Sequence, residues 1–157
     1  MGQESSIRPK TMGNGYLDQT AVGERMKFYA GIGSSKGISK SELDMLTLIA
    51  RQLHNKGYWL RSGAAPCVDT AFENGAEEHK EIFLPWKGFN DSSSELYGTK
   101  ALENIGVAEK IPKRLYGKDF YKKPHLKLHS RNVYQIMGPS LCDPIEFVLA
   151  YTMNDPV

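Results

Sequence analysis

Residues 27–63 read KFYAGIGSSKGISKSELDMLTLIARQLHNKGYWLRSG, and the reading of this run decides the fold. It opens on a short apolar strand, Lys27–Gly31, which gives way to a turn-rich loop, Gly31–Gly37. A helix then announces its start. Ser39 stands as N-cap and Glu42 follows three residues on, the spacing at which each side chain satisfies the other's free backbone N–H. Leu43, Leu46, Ile49, Ala50 and Leu53 recur at helical spacing and give one buried face. Gly57 ends the helix, because glycine takes the left-handed conformation after a helix without strain. Tyr58–Arg61 supplies a second strand. Strand, helix and strand joined by short loops imply parallel pairing through a right-handed crossover.

The same alternation continues outward. A loop, Ser62–Val68, leads into a helix over about Asp69–His79, and a third strand, Glu81–Leu84, stops at Pro85. Helices are expected within Glu95–Lys110 and Ser130–Met137. Glu146–Thr152 (EFVLAYT) is a continuous apolar strand of the kind buried on both faces of a parallel sheet. The expected fold is α/β: a Rossmann-like, doubly wound, mostly parallel sheet with strand order 3-2-1-4, short at its C-terminus. In the other direction, residues 1–25 are rich in Gly, Ser, Thr and Gln and have no apolar period. They read as a mobile N-terminal arm, which leaves residues 26–157 as the domain.

The bulk numbers fit one globular domain: 157 residues, 40% hydrophobic, 24% charged. The formal net charge of +2 is too mild to argue for nucleic acid by itself, so the placement of charge matters more. The two cysteines, Cys67 and Cys142, form no CxxC pair and no histidines cluster in sequence, which argues against a zinc site; no metal or cofactor is expected. No apolar run approaches the roughly 18 residues of a membrane span, and the N-terminus carries no signal-peptide core. A cytoplasmic, membrane-free protein is the expectation.

Ligands on doubly wound sheets sit at the carboxyl ends of the strands, near the point where strand order reverses. Two loops should meet there. In the first, Gly31 and Gly33 let a ligand approach the backbone, and Ser34 and Ser35 offer hydroxyls; successive amides in such a turn form an anion nest. A glycine-rich turn with no ligand is the competing reading. The second loop runs from Arg61, Ser62 and Gly63 to Asp69 at the start of a helix, whose N-terminus presents free N–H groups. Asp69 either caps that helix or accepts a hydrogen bond from a ribose hydroxyl. Glu73, one turn on, is expected to face the same cleft. The amides of both loops should converge on one anion site. Cys67 reads as a small filler rather than a nucleophile. Trp86 either stacks on a base or covers the sheet edge.

The blocks YAGIGS, GYWLRSGAAPCVDTAFENGA, EIFLPWKGFN, LHSRNVYQIMGP and FVLAYT, in that order, resemble the SLOG superfamily, over about Met26 to Thr152. The likeness is greatest to its small, often phage-encoded proteins of the DNA-processing-protein-A-like or recombination-mediator-like kind; Lonely-guy phosphoribohydrolases are relatives. The resemblance implies a Rossmann-like fold, a phosphate-binding cleft, a contribution of Arg131 to that cleft, and a homodimer. Two departures stand out. The superfamily pattern is closer to SGGA-x-G-x-D, and here Ala64 and Cys67 replace glycines, each adding a Cβ that disfavours φ > 0. Members also continue past the FVLAYT strand into a further glycine motif that this sequence lacks.

The segment Lys110–Arg131 holds eight of the 20 Lys and Arg residues against one acid, with Tyr116, Phe120 and Tyr121 interleaved. Such a pattern suits the backbone and unstacked bases of single-stranded nucleic acid, with Lys113, Arg114, Lys122 and Lys123 as contacts. A solvated loop with its aromatics tucked inward is the alternative. Together these readings make binding of a nucleotide-derived ligand or nucleic-acid phosphate the leading expectation. The alternatives are a nucleotide phosphoribohydrolase with Glu73 as its acid, and an interaction protein that kept the fold without the ligand.

Overall fold

The computed structural model describes residues 25–117 and 123–153, the side chain of Lys123 excepted. Residues 1–24 of the expected arm lie outside the described residues. The elements run β1 (Lys27–Gly33), α1 (Lys40–Asn55), β2 (Tyr58–Ser62), α2 (Val68–Ala76), β3 (Lys80–Ile82), a 3₁₀ turn (Phe89–Asp91), α3 (Gly98–Ala101), α4 (Ile105–Tyr116), α5 (Lys123–Met137) and β4 (Phe147–Tyr151). The four strands form one parallel sheet in the order β3-β2-β1-β4, the order expected from sequence. The chain steps outward from β1 to β3 through α1 and α2, then crosses back to lay β4 against the other side of β1. Helices therefore cover both faces. Tyr29, Leu46, Ala50, Leu60 and Phe72 form the core beneath α1 and α2; Phe83, Leu102, Ala108, Val133 and Tyr134 form a second core with α4 and α5. This is a Rossmann-like α/β fold. None of the helices among the described residues is long and apolar enough to cross a membrane.

The start of α1 is as the sequence specifies. Glu42 N donates to Ser39 Oγ at 3.3 Å, and Ser39 N donates to Glu42 Oε2 at 2.7 Å. Tyr151 Oη adds a bond to Glu42 Oε1 at 2.6 Å, tying the end of β4 to this cap. The Ser39 side chain, Tyr151 and the Ser39 backbone hold the Glu42 carboxyl down at about 2.

Four expectations need correcting. First, β1 runs two residues past Gly31, because Gly31–Gly33 pairs with Leu149–Tyr151. The glycines are there for close approach within a strand, not for a loop. A Cβ at Gly31 would lie 2.6 Å from the Phe72 ring, and one at Gly33 would collide with the Tyr151 carbonyl oxygen. Second, β4 is an edge strand buried on one face only. Phe147, Leu149 and Tyr151 pack on the core, while Val148 is 44% exposed. Third, α2 stops at Ala76 and β3 stops at Ile82, beyond which Phe83 forms an isolated bridge to Leu96. Fourth, α5 begins at Lys123 rather than near Ser130. Ser130 Oγ donates to the Leu126 carbonyl at 2.7 Å, the bond a serine makes in mid-helix rather than at a cap.

Candidate functional site

The two glycine-bearing loops do meet. Val68 N donates to Ser34 O at 3.4 Å, and Ser34 N to Tyr151 O at 3.0 Å. Amides of the second loop converge on the protein's own Asp69. Its Oδ2 accepts from Gly63 N and Ala65 N, both at 3.3 Å, and the Gly33 amide at the end of β1 adds a favourable electrostatic pull on the carboxyl. Asp69 is not the N-cap of α2. That position belongs to Cys67, which makes no side-chain cap bond. Burial pushes the Asp69 carboxyl above its ordinary range, against the pull of the three amides and Arg131. The nest foreseen for a phosphate is thus already filled by a carboxylate.

The backbone that makes this nest takes positive φ at the two positions where the pattern has glycine. Ala64 and Cys67 sit at φ 57° and 64°, so their Cβ atoms did not exclude the left-handed region. Each such residue stores strain of about 1–2 kcal/mol.

A cavity of about 400 Å³ opens beside Asp69, between the carboxyl ends of β1 and β4. This is the place where strand order reverses, the favoured ligand position in such sheets. Gly33, Asp69, Arg131, Asn132, Gln135 and Thr152 stand on its wall. Arg131 is 8% exposed; its Nη1 donates to the carbonyls of Gly63 and Phe83, and its Nε donates to Asn132 Oδ1 at 3.1 Å. Gly63 is required here, since a Cβ would strike the guanidinium. Arg131 Nη2 donates no hydrogen bond among the described residues. Gln135 is 2% exposed, and its Nε2 is buried with no hydrogen-bond partner among the described residues. The pocket therefore sets a buried carboxyl against two side chains with unspent donors.

Other residues expected at the site fall elsewhere. Arg61 is fully enclosed: its Nε donates to Glu81 Oε2 at 2.7 Å, its Nη2 to Asp143 Oδ2 at 2.9 Å, and its guanidinium lies 3.7 Å from the Phe28 ring centroid. It clamps β2 to β3 and to the segment before β4, and it is not on the pocket wall. Ser62 Oγ donates to Gly31 O at 2.7 Å, so the hydroxyl is spent between strands. Ser34 Oγ accepts from Met153 N, and Ser35 is exposed. Gly31 packs against Phe72. Trp86 meets the edge of Phe89 and stays outside the pocket. Glu73 lines a separate cleft of about 630 Å³ with Thr70, Asn90 and Asp91. Ala64 is on the wall of that cleft and Ala65 on the wall of the first, so one short loop divides them. Burial raises the Glu73 carboxyl, against the attraction of Lys80.

Of the basic candidates, Lys113 and Arg114 are exposed on α4 beside Leu115 and Tyr116. Lys122 and the Lys123 side chain lie outside the described residues. Sequence reasoning missed Gln135. The signal was there, since Gln135 stands one helical turn after Arg131 and shares its face. No family model, curated protein or solved structure matches this chain.

Proposed function

We propose that the pocket between β1 and β4 binds a small nucleotide-derived ligand, without catalysis of its own. One observation carries the reading: the Gln135 Nε2 donor is buried on the wall of this cavity and has no acceptor among the described residues. Such an orphan costs about 1–3 kcal/mol unless something satisfies it. A nucleotide supplies what the wall asks for. Its sugar hydroxyls donate to Asp69, and its phosphate or base oxygens accept from Gln135 and Arg131. The volume lies within the range of small-ligand pockets. The resemblance to the SLOG superfamily points the same way. Because Asp69 fills the amide nest, the phosphate belongs on the Arg131 side rather than against the loops.

The test is mass spectrometry of the gently purified protein. A nucleotide should travel with the wild type and be lost from Gln135→Leu. A wild-type protein that carries none, and takes up none from a nucleotide mixture, contradicts the proposal.

The Glu73 cleft supports a second reading, an N-glycosidic hydrolase. A carboxyl raised by burial is suited to act as a general acid at neutral pH. That enzyme releases free base from nucleoside monophosphates, and Glu73→Gln abolishes the release. Retention of nucleotide without release separates the two.

A further inference from the structure

The opposite end of the sheet holds a cluster that the linear sequence hides. His54 lies in the last turn of α1, and His79 stands directly before β3. Packing of α1 along α2 brings them together across 25 positions of chain. Their rings lie 4.2 Å apart between centroids, tilted by 43°, and His79 also stacks on Trp59 at 4.9 Å. Glu78 adds an exposed carboxylate. One ligand atom from each of the three residues lies within 4.8 Å of the other two.

The Nδ1 atoms of both His54 and His79 are buried and have no hydrogen-bond partner among the described residues. Buried polar atoms are normally paired, and two unpaired nitrogens in one cluster call for a common explanation. Backbone hydrogen bonds tie His79 to α2 and β2. His79 N donates to Ala76 O at 3.0 Å, Leu60 N donates to His79 O at 2.8 Å, and Lys80 N donates to Glu78 O at 2.9 Å.

We propose that His54, His79 and Glu78 form a binding site for a divalent transition-metal ion of the zinc type. Two imidazole nitrogens and one carboxylate oxygen are a ligand set for zinc, copper, nickel or iron rather than for calcium or magnesium, which take oxygen ligands. Bonds of about 2.0–2.1 Å in a tetrahedron put ligand atoms roughly 3.4 Å apart. Separations within 4.8 Å therefore have to close by no more than about 1.4 Å, which rotation of the exposed Glu78 side chain and small ring shifts supply. Such an ion joins the end of α1 to the start of β3, at the amino ends of the strands and far from the nucleotide pocket, so it strengthens the fold independently of ligand.

The experiment uses the full chain, stripped with chelator and titrated with zinc chloride. Imidazole nitrogen NMR of the wild type should show His54 and His79 shifting together and saturating at one equivalent, with His125 and His129 unmoved. In a Trp86→Phe background, Trp59 is the remaining tryptophan, and its emission should change along the same curve. A hundredfold excess over Kd should raise the melting temperature by about 5–10 °C. His54→Ala should weaken binding at least tenfold, and Glu78→Gln less. If His79→Ala does not fold, the wild-type imidazole spectra still decide. Zinc that leaves His54 and His79 unmoved, shifts the His125–His129 pair of α5 instead, or binds His54→Ala as tightly as wild type overturns the proposal.

Discussion

Arg61 and Arg131 are both buried, and both stood among the expected ligand contacts, yet their surroundings differ in kind. Arg61 meets two carboxylates, a carbonyl and an aromatic face, so its charge and its donors are consumed. Arg131 meets carbonyls and one amide, with Asp69 near enough to feel but not paired. Burial accordingly pushes the Arg131 guanidinium down, against the attraction of Asp69. A buried arginine with matched acids is a clamp. One held by carbonyls on a pocket wall is, in the proposed reading, a ligand contact.

Substitution should separate the two most strongly. Arg61→Ala strips Glu81 and Asp143 of their shared cation. Removing one partner of a buried pair costs about 3–5 kcal/mol, and the low end applies because both acids reach solvent and can rehydrate. Urea denaturation should therefore show a loss of about 3 kcal/mol, with ligand affinity intact at temperatures where the variant is folded. Arg131→Ala should cost less, about 1–3 kcal/mol for the carbonyls it abandons, and should lose the ligand. Equal losses of stability with unaltered binding would erase the distinction.

Gly33 sharpens the contrast from the strand side. Its missing Cβ makes room for the Tyr151 carbonyl and for Val68, so Gly33→Ala should strain the β1–β4 pairing. Overpacking of this kind costs about 1–3 kcal/mol, read as a fall in the urea midpoint. A neutral result would mean that Gly33 is a loop glycine after all. Ala64→Gly should act oppositely. Relief of the left-handed strain outweighs the extra backbone freedom of glycine, for a net gain of about 0.5–1 kcal/mol by the same denaturation.

The smallest effect is one of pH. Burial lifts the Asp69 carboxyl above its ordinary value of 3.8, so the folded protein still holds this proton after the unfolded chain has released it. The contribution favours the fold below that value and is lost as pH rises through the raised folded value. Asp69→Asn removes the titration, so the difference in stability between wild type and variant should drift with pH across that window and be flat above it. A flat difference throughout would show that Asp69 titrates normally.

The strand order and the Ser39–Glu42 cap were legible because each rests on local spacing. What each loop side chain does was not. Glycines weaken a strand in isolation, so Gly31–Gly33 reads as a loop until β4 pairs with it. Adjacent strand residues such as Arg61 and Ser62 point to opposite faces, and which face holds acids depends on Asp143, 82 positions later. The meeting of the two loops was foreseeable from parallel strands; that Asp69 would fill the nest was a matter of side-chain direction in three dimensions. His54 and His79 were invisible for the same reason.

The central claim is that Gln135 and Arg131 hold their donors for a ligand. An isotope-labelled full chain titrated with the four nucleoside monophosphates tests it directly. The side-chain amide of Gln135 and the backbone amides of Gly33 and Asp69 should shift together and saturate for at least one nucleotide, and Gln135→Leu should weaken that binding about 10–100-fold while leaving the fold intact. No shift at these groups with any of the four, or shifts confined to α4 around Lys113 and Arg114, would contradict it.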